Sequence, residues 1–533
     1  MFYTSGSCGT SDNAIKLENI SSDSTLVRAH SLPSTTASHL PLQSLTDAQQ
    51  TFTAASLSSQ IALVSASAAV TLHILYRPPF LFPRLQTTSP SPLNPTAHPF
   101  GIPSMQDWTE LWKAWDCVTL GMIPRTMLHE KPIDLRHKCI FYLGHIPTFL
   151  DMLLSRELGE PNTEPKWFTE IFERGIDPHV DDPEHCHRHS IVPTKDDEWP
   201  TLDDIVAFRT RVRARLLQLY ADLEAGRRTI YRRLARVLVM TFEHEGFHVE
   251  TLLYMLIQRT GTGTLPPPGF PRPLFAPLAA QWAQHPTPPT PTITLGPADI
   301  TLGFDDPEPA DLDPAHAYNT AARAYGWDNE SPARTVRVSA FRASWRPVTN
   351  GAYLAWWRGA GAGRPAPKSW AVGKDGVVNV RTAFGLVPLE VASEWPVMAA
   401  YDDLAAFARD QGGRLPSEAE LRLFLDTYDV QENIGFRHWH PLPATCGTEG
   451  KKGSNGGVWE WTSTLFDAHD GFEPTDIFSG YSSDFFDGVH HVVLGASYAT
   501  IPRQAGRRTL RNFYQHNYPY AWVGGRVVYD VEA

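Results

Sequence analysis

The chain has 533 residues, 42% hydrophobic and 11% aromatic, enough for two to four domains with substantial cores. Its formal net charge of −12 argues against nucleic acid as a main partner. Five scattered cysteines without a CxxC give no disulfide framework and point to a reducing, cytoplasmic setting.

Residues 1–105 are rich in Ser, Thr, Pro and Ala and carry few charges, a composition expected to form a disordered, low-complexity tail. Within it, Ile61 to Tyr76 is too short and too polar to span a membrane, and too far inside for a signal peptide. It reads as tail or a marginal helix, with a membrane anchor as the lesser alternative. From Trp108 the pattern turns helical. That first segment, Leu135–Leu158, Leu202–Ala225 and Thr229–Arg259 together predict a four-helix bundle over residues 106–285, whose facing helices can hold a ligand. An acidic, His-rich connection (Asp177 to Pro200) separates the second helix from the third. A Pro-rich linker, Leu265 to Pro291, closes the domain. Residues 286–533 show short strands, turns and many tryptophans, with helices only at Tyr401–Gln411 and Ser417–Asp426. The fold class is therefore multidomain, a helical bundle followed by an α+β domain.

The chemistry concentrates in His244-Glu-Gly-Phe-His-Val-Glu250. Residues four apart on a helix project from one face, so His244 and His248 can chelate one ion. As H-E-x-x-H the run spells a zinc protease with Glu245 as general base. As H-x-x-x-H-x-E it is an iron site that needs a third histidine. The extended zincin pattern fails, because Thr251 and Tyr254 stand where its glycine and histidine belong. His145, in Phe141-Tyr-Leu-Gly-His-Ile-Pro-Thr-Phe-Leu-Asp151, is the better third ligand: an unpaired imidazole is costly inside an apolar helix. Three imidazoles suit Fe(II) and leave positions open for substrate and dioxygen.

Several ordered motifs now carry a resemblance. Thr119-Leu-Gly-Met-Ile-Pro-Arg, the Phe141–Asp151 run and Thr241-Phe-Glu-His-Glu-Gly-Phe-His-Val-Glu-Thr resemble the DinB-like bundle of ergothioneine-biosynthesis nonheme iron sulfoxide synthases. Tyr325-Gly-Trp-Asp-Asn-Glu, Pro347-Val-Thr-Asn-Gly-Ala-Tyr, Gly413-Arg-Leu-Pro-Ser-Glu-Ala-Glu, Gly457-Val-Trp-Glu-Trp-Thr and Gly495-Ala-Ser-Tyr-Ala-Thr resemble their formylglycine-generating-enzyme/C-type-lectin-like domain. The pattern is closest to the fungal type, lacking its methyltransferase domain. The resemblance implies an Fe(II)- and O2-dependent enzyme joining the sulfur of cysteine to C2 of hercynine (trimethylhistidine), as a sulfoxide.

By that resemblance His145, His244 and His248 are the iron ligands, and Glu250 is expected to orient an imidazole N–H. Asn512 matches the asparagine that binds the substrate imidazole, and Phe513 offers an aromatic face to a trimethylammonium group. Tyr514 replaces an acidic residue that holds γ-glutamylcysteine in the mycobacterial type, which favours free cysteine. Tyr481 is the candidate catalytic tyrosine, and Arg174 the candidate partner of the cysteine carboxylate. The ligand-dense loop His179–His189 is not expected to hold a second metal, since alternating loop residues rarely reach tetrahedral geometry. Formylglycine formation is not expected either, because that activity uses a cysteine pair and this domain has only Cys446.

Three rivals remain: an ovothiol-type 5-histidylcysteine sulfoxide synthase, an HExxH zinc protease and a non-catalytic binding protein. The first hundred residues show no glycine-rich methyl-donor loop. Hercynine is therefore expected from a separate histidine methyltransferase.

Overall fold

The computed structural model describes residues 78–85, 90–259, 261–284, 290–321, 323–446 and 453–531, with five short backbone strands between residues 2 and 75. The chain divides into two compact units, Met1–Leu81 with Pro266–Gln284, and Phe82–Leu265 with His285–Ala533. Most of the expected tail lies outside the described residues. In the Ile61–Tyr76 run, Ala62–Leu63 and Ala69–Leu75 are extended rather than helical, in keeping with β-branched Val70, Thr71 and Ile74. Residues 90–104 fold within the second unit, where Ile102 is buried and the Phe100 carbonyl accepts from Arg503 Nη2 at 2.7 Å. No helix among the described residues is long and apolar enough to cross a membrane.

The bundle is built from α1 (Met105–Asp116), α2 (Cys139–Leu158), α3 (Phe168–Phe172), α4 (Leu202–Glu224) and α5 (Arg232–Gln258). Ser104 and Thr201 start α1 and α4 with capping boxes, their hydroxyls accepting from the N–H groups of Asp107 and Asp204. Gly159, in the left-handed region at φ 64°, ends α2 as a C-cap. Helix α2 packs on α3, α4 and α5, which is why almost its whole circumference is buried. The linker predicted for Leu265 to Pro291 holds an unexpected helix, Phe275–Trp282, where the prolines thin out.

The C-terminal part of the second unit centres on a four-stranded sheet of β1 (Trp459–Leu465), β2 (His490–Gly495), β3 (Asn512–Gln515) and β4 (Val523–Gly524). The strand order is β3-β2-β1-β4, with β2 antiparallel to both neighbours and β4 parallel to β1. The two predicted helices form at Tyr401–Asp410 and Glu418–Tyr428. A core of Leu295, Phe341, Phe424, Phe466, Val492 and Leu494, among others, fills the space between the helix and the sheets.

One close approach bears on the site. A Cβ at Gly144 would lie 2.4 Å from the ring of Phe172, so α2 and α3 touch through the missing side chain. Gly144→Ala should destabilise the protein by about 1–3 kcal/mol, the ordinary cost of overpacking. A thermal melt at unchanged wild-type stability would contradict this.

Candidate metal centre

His145 on α2 meets His244 and His248 on α5. One ring nitrogen from each lies within 4.8 Å of the others, and this is the only such group of histidine, cysteine or acidic ligands among the described residues. Ring centroids are 5.1 Å apart for His145 and His244, 4.9 Å for His145 and His248, and 4.5 Å for His244 and His248. The rings are held by their neighbours. His145 Nδ1 donates to the Phe172 carbonyl at 2.7 Å, which fixes the tautomer and leaves Nε2 as the free lone pair. Phe149 stacks on His244 at 3.7 Å, and Phe141 on His145 at 5.3 Å.

Burial pushes His145 down to about 4 and holds His244 and His248 well below the usual imidazole range, with the neighbouring imidazoles adding to the effect. All three are therefore neutral at neutral pH, the state in which imidazole binds a metal. His248 Nδ1 is buried without a partner in the protein. Converging lone pairs and an unsatisfied buried nitrogen fit a bound cation better than a packed core.

Helix α5 presents three different faces. The histidines face a cavity of about 240 Å³ that Tyr142, Arg174, Tyr481, Asn512, Phe513 and Tyr514 also line. Glu245, about 100° round the helix from His244, lines a separate small cavity with Trp112, Trp115, Arg209 and Arg213. Burial raises its carboxyl to about 7, and its Oε1 has no partner. Glu243 and Glu250, seven residues apart, share the third face.

The expectation for Glu250 is corrected here. It accepts from the Trp459 indole at 2.7 Å and the Thr500 hydroxyl at 2.6 Å, and orients no imidazole. Two residues on an α-helix are about 200° apart, so a side chain two beyond His248 faces away from it. Glu243 likewise accepts from Trp327 Nε1 at 3.0 Å and Arg503 Nε at 2.7 Å.

The sequence-predicted substrate residues all reach the cavity wall. Tyr481 stacks on Trp327 with ring centroids 4.0 Å apart and planes 14° from parallel. Burial, then Asp328, Glu243 and Glu330, hold its phenol well above the ordinary value, so it stays protonated. Asn512 Nδ2 donates to the Tyr514 hydroxyl at 3.3 Å. Phe513 is half-buried and stacks on Phe466 at 3.9 Å, at the edge of the domain core. Arg174 is not a free cation: its guanidinium pairs with Asp484 at 2.7 Å. The wall also contains residues that sequence reasoning missed, among them Arg136, Tyr254, Tyr518 and His490. Arg136 pairs with Asp177 at 2.6 Å.

Two family models match the chain within the second unit. Residues 106–252 match the DinB superfamily, and residues 310–424 match the sulfatase-modifying factor enzyme 1-like domain. Ergothioneine biosynthesis protein 1 of Neurospora crassa is 39% identical, the match covering 81% of this chain and 58% of that protein. The protein of the same name from Schizosaccharomyces pombe is 36% identical over 80% of this chain and 56% of its own length. The chain is a homologue of these ergothioneine biosynthesis proteins. It spans a little over half their length. Hercynine oxygenase of Mycobacterium tuberculosis is 29% identical, over 55% of this chain and 72% of its own length.

The position of Glu245 yields a direct prediction. A protease of the H-E-x-x-H type would lose nearly all activity on Glu245→Gln, whereas here the variant should keep both metal and turnover. Its stability should also gain relative to wild type as the pH rises. A carboxyl raised to about 7 when folded binds a proton that the unfolded chain has released, so wild-type stability falls between roughly pH 4.5 and 7. Melting both proteins at pH 5 and pH 8 tests the sign. A larger wild-type advantage at pH 8 would refute it.

Proposed function

We propose that the chain is an Fe(II)-dependent oxygenase that joins cysteine to hercynine through a carbon–sulfur bond and leaves the sulfur as a sulfoxide. One observation carries the reading: a three-histidine group, borne by a DinB-type bundle, opens onto a cavity walled by β3 of the C-terminal sheet, in a chain whose residues 310–424 match the sulfatase-modifying factor enzyme 1-like domain. The names of the relatives, ergothioneine biosynthesis protein 1 and hercynine oxygenase, support the pathway and the substrate.

His145, His244 and His248 would hold the iron, which supplies dioxygen activation and a site where a thiol is readily ionised. The protein's own groups do the rest. Asn512 offers an amide to the substrate imidazole, and the aromatic rings of Phe478, Phe485 and Phe513 provide faces for its trimethylammonium group. Tyr481 holds a proton at its phenol oxygen and can deliver it within the cavity. Free cysteine is the proposed sulfur donor, since Tyr514 puts no carboxylate at that place on β3. Arg174, already bound to Asp484, would meet the cysteine carboxylate as half of an ion pair.

Aerobic incubation with Fe(II), cysteine and either hercynine or histidine, followed by mass analysis, tests the reading. The sulfoxide should form with hercynine. Product from histidine alone would favour the 5-histidylcysteine reaction, and no product with either would reject the proposal. Glu245, turned away from the histidine cavity, gives the zinc-protease reading no base.

A further inference from the structure

Another titratable cluster lies beside the histidine cavity and shares a wall with it. Asp487 accepts from His490 Nδ1 at 2.9 Å and from His179 Nε2 at 3.0 Å. The backbone N–H groups of Val489 and His490 also donate to this carboxylate, at 3.0 and 3.3 Å. Burial opposes its ionisation, but the hydrogen bonds prevail and hold the carboxyl far below the usual range. An ionised carboxylate only accepts, so each imidazole turns an N–H towards it. For His490 that leaves Nε2 as the lone pair.

Position matters as much as tautomer. His490 is buried at the start of β2, yet it lines two cavities: the metal cavity, and an outer one of about 280 Å³ that contains His179, His185 and Asp487. Its ring stands 5.8 Å from that of Phe513, nearly perpendicular. The loop carrying His179 is not free to drift. Gln515 on β3 accepts from the Val180 N–H at 2.7 Å and donates to the Pro178 carbonyl at 2.9 Å. A carboxylate holding an imidazole by one nitrogen, with the other presented to a substrate cavity, is the arrangement that makes histidine a competent base.

We propose that His490, oriented by Asp487 and His179, is the base that takes the ring proton of the imidazole substrate when its C–H bond is replaced by C–S. This rests on the carbon–sulfur-forming function proposed above. In the overall reaction the ring C–H and the thiol S–H bonds break, and C–S and S–O bonds form. Dioxygen is the four-electron oxidant: one oxygen atom remains on sulfur and the other leaves as water with the two protons. His490 Nε2 holds the ring proton in the interval and then releases it to the oxygen atom that departs as water.

The test uses the iron-loaded full chain with cysteine and with hercynine bearing either hydrogen or deuterium at the reacting carbon. His490→Gln should lower kcat by about 10²-fold, with stoichiometric iron and the KM for cysteine unchanged. Its deuterium isotope effect on kcat should exceed that of wild type, because proton removal becomes limiting. Asp487→Asn should show the same enlarged effect with a smaller loss of rate, and it keeps the question open to measurement if His490→Gln does not fold. A variant with wild-type kcat, or with a reduced kcat and no larger isotope effect, would overturn the assignment. Wild-type enzyme that makes no sulfoxide would reject the proposed function instead, so the two failures are distinguishable.

Discussion

Replacing His145, His244 or His248 with alanine is expected to abolish stoichiometric Fe(II) binding and sulfoxide formation together. The three ring nitrogens lie within 4.8 Å of one another, and a trio that loses one member no longer encloses an ion. A bound metal contributes several kcal/mol to such chemistry, so turnover should fall by about 10³-fold or more. His145→Ala should be the most damaging to stability, because it also strips the Phe172 carbonyl of its donor in a buried position. Anaerobic titration with Fe(II), followed by turnover in air, reads both effects. Full iron binding and turnover in any of the three variants would remove that histidine from the centre.

The second large effect is expected for Tyr481→Phe. Phenylalanine keeps the ring and its stack on Trp327, so the change isolates the hydroxyl. Loss of a positioned proton donor should reduce sulfoxide formation by about 10²-fold while iron binding stays intact. Because the phenol is held well above its ordinary pKa, its ionisation should not limit activity on the alkaline side of neutrality. Rates measured from pH 6 to 9 should therefore show no limb that Tyr481→Phe removes. Such a limb, or an unchanged rate in the variant, would count against Tyr481.

How far the sequence could lead depended on the range of the interaction. His244 and His248 are legible because helical spacing is a local rule. His145 is legible because an imidazole inside an apolar helix demands a partner. Both arguments need only one or two turns of chain. For Glu250 the resemblance implies a contact with an imidazole, while its angle round the helix from His248 points the carboxylate at Trp459. Contacts across hundreds of residues left no local trace. Arg174 meets Asp484, and His179 meets Asp487, only after the C-terminal domain has closed on the bundle loop. The short α3, whose carbonyl orients His145, is likewise set by packing rather than by any repeat in its five residues. The His-rich loop offers no metal geometry of its own, and its chemistry becomes visible only beside β2.

The third face of α5 has a consequence for anyone who would rebuild this protein. Glu243 and Glu250 take donors from Trp327, Arg503, Trp459 and Thr500, and Arg236 is clasped by Asp306 and Asp311. Glu243 and Arg236 are buried charges whose counterparts belong to the C-terminal sequence, and an orphaned one costs about 3–5 kcal/mol; Glu250, whose carboxyl burial pushes up, takes neutral donors from the same sequence. The natural seam for exchanging modules between relatives is therefore not the proline-rich stretch after the bundle. A hybrid made there would give the helix that carries His244 and His248 foreign partners for every one of these groups. Since α2 supplies His145 and the bundle loop pairs with Asp484 and Asp487, bundle and sheet are to be moved as one unit.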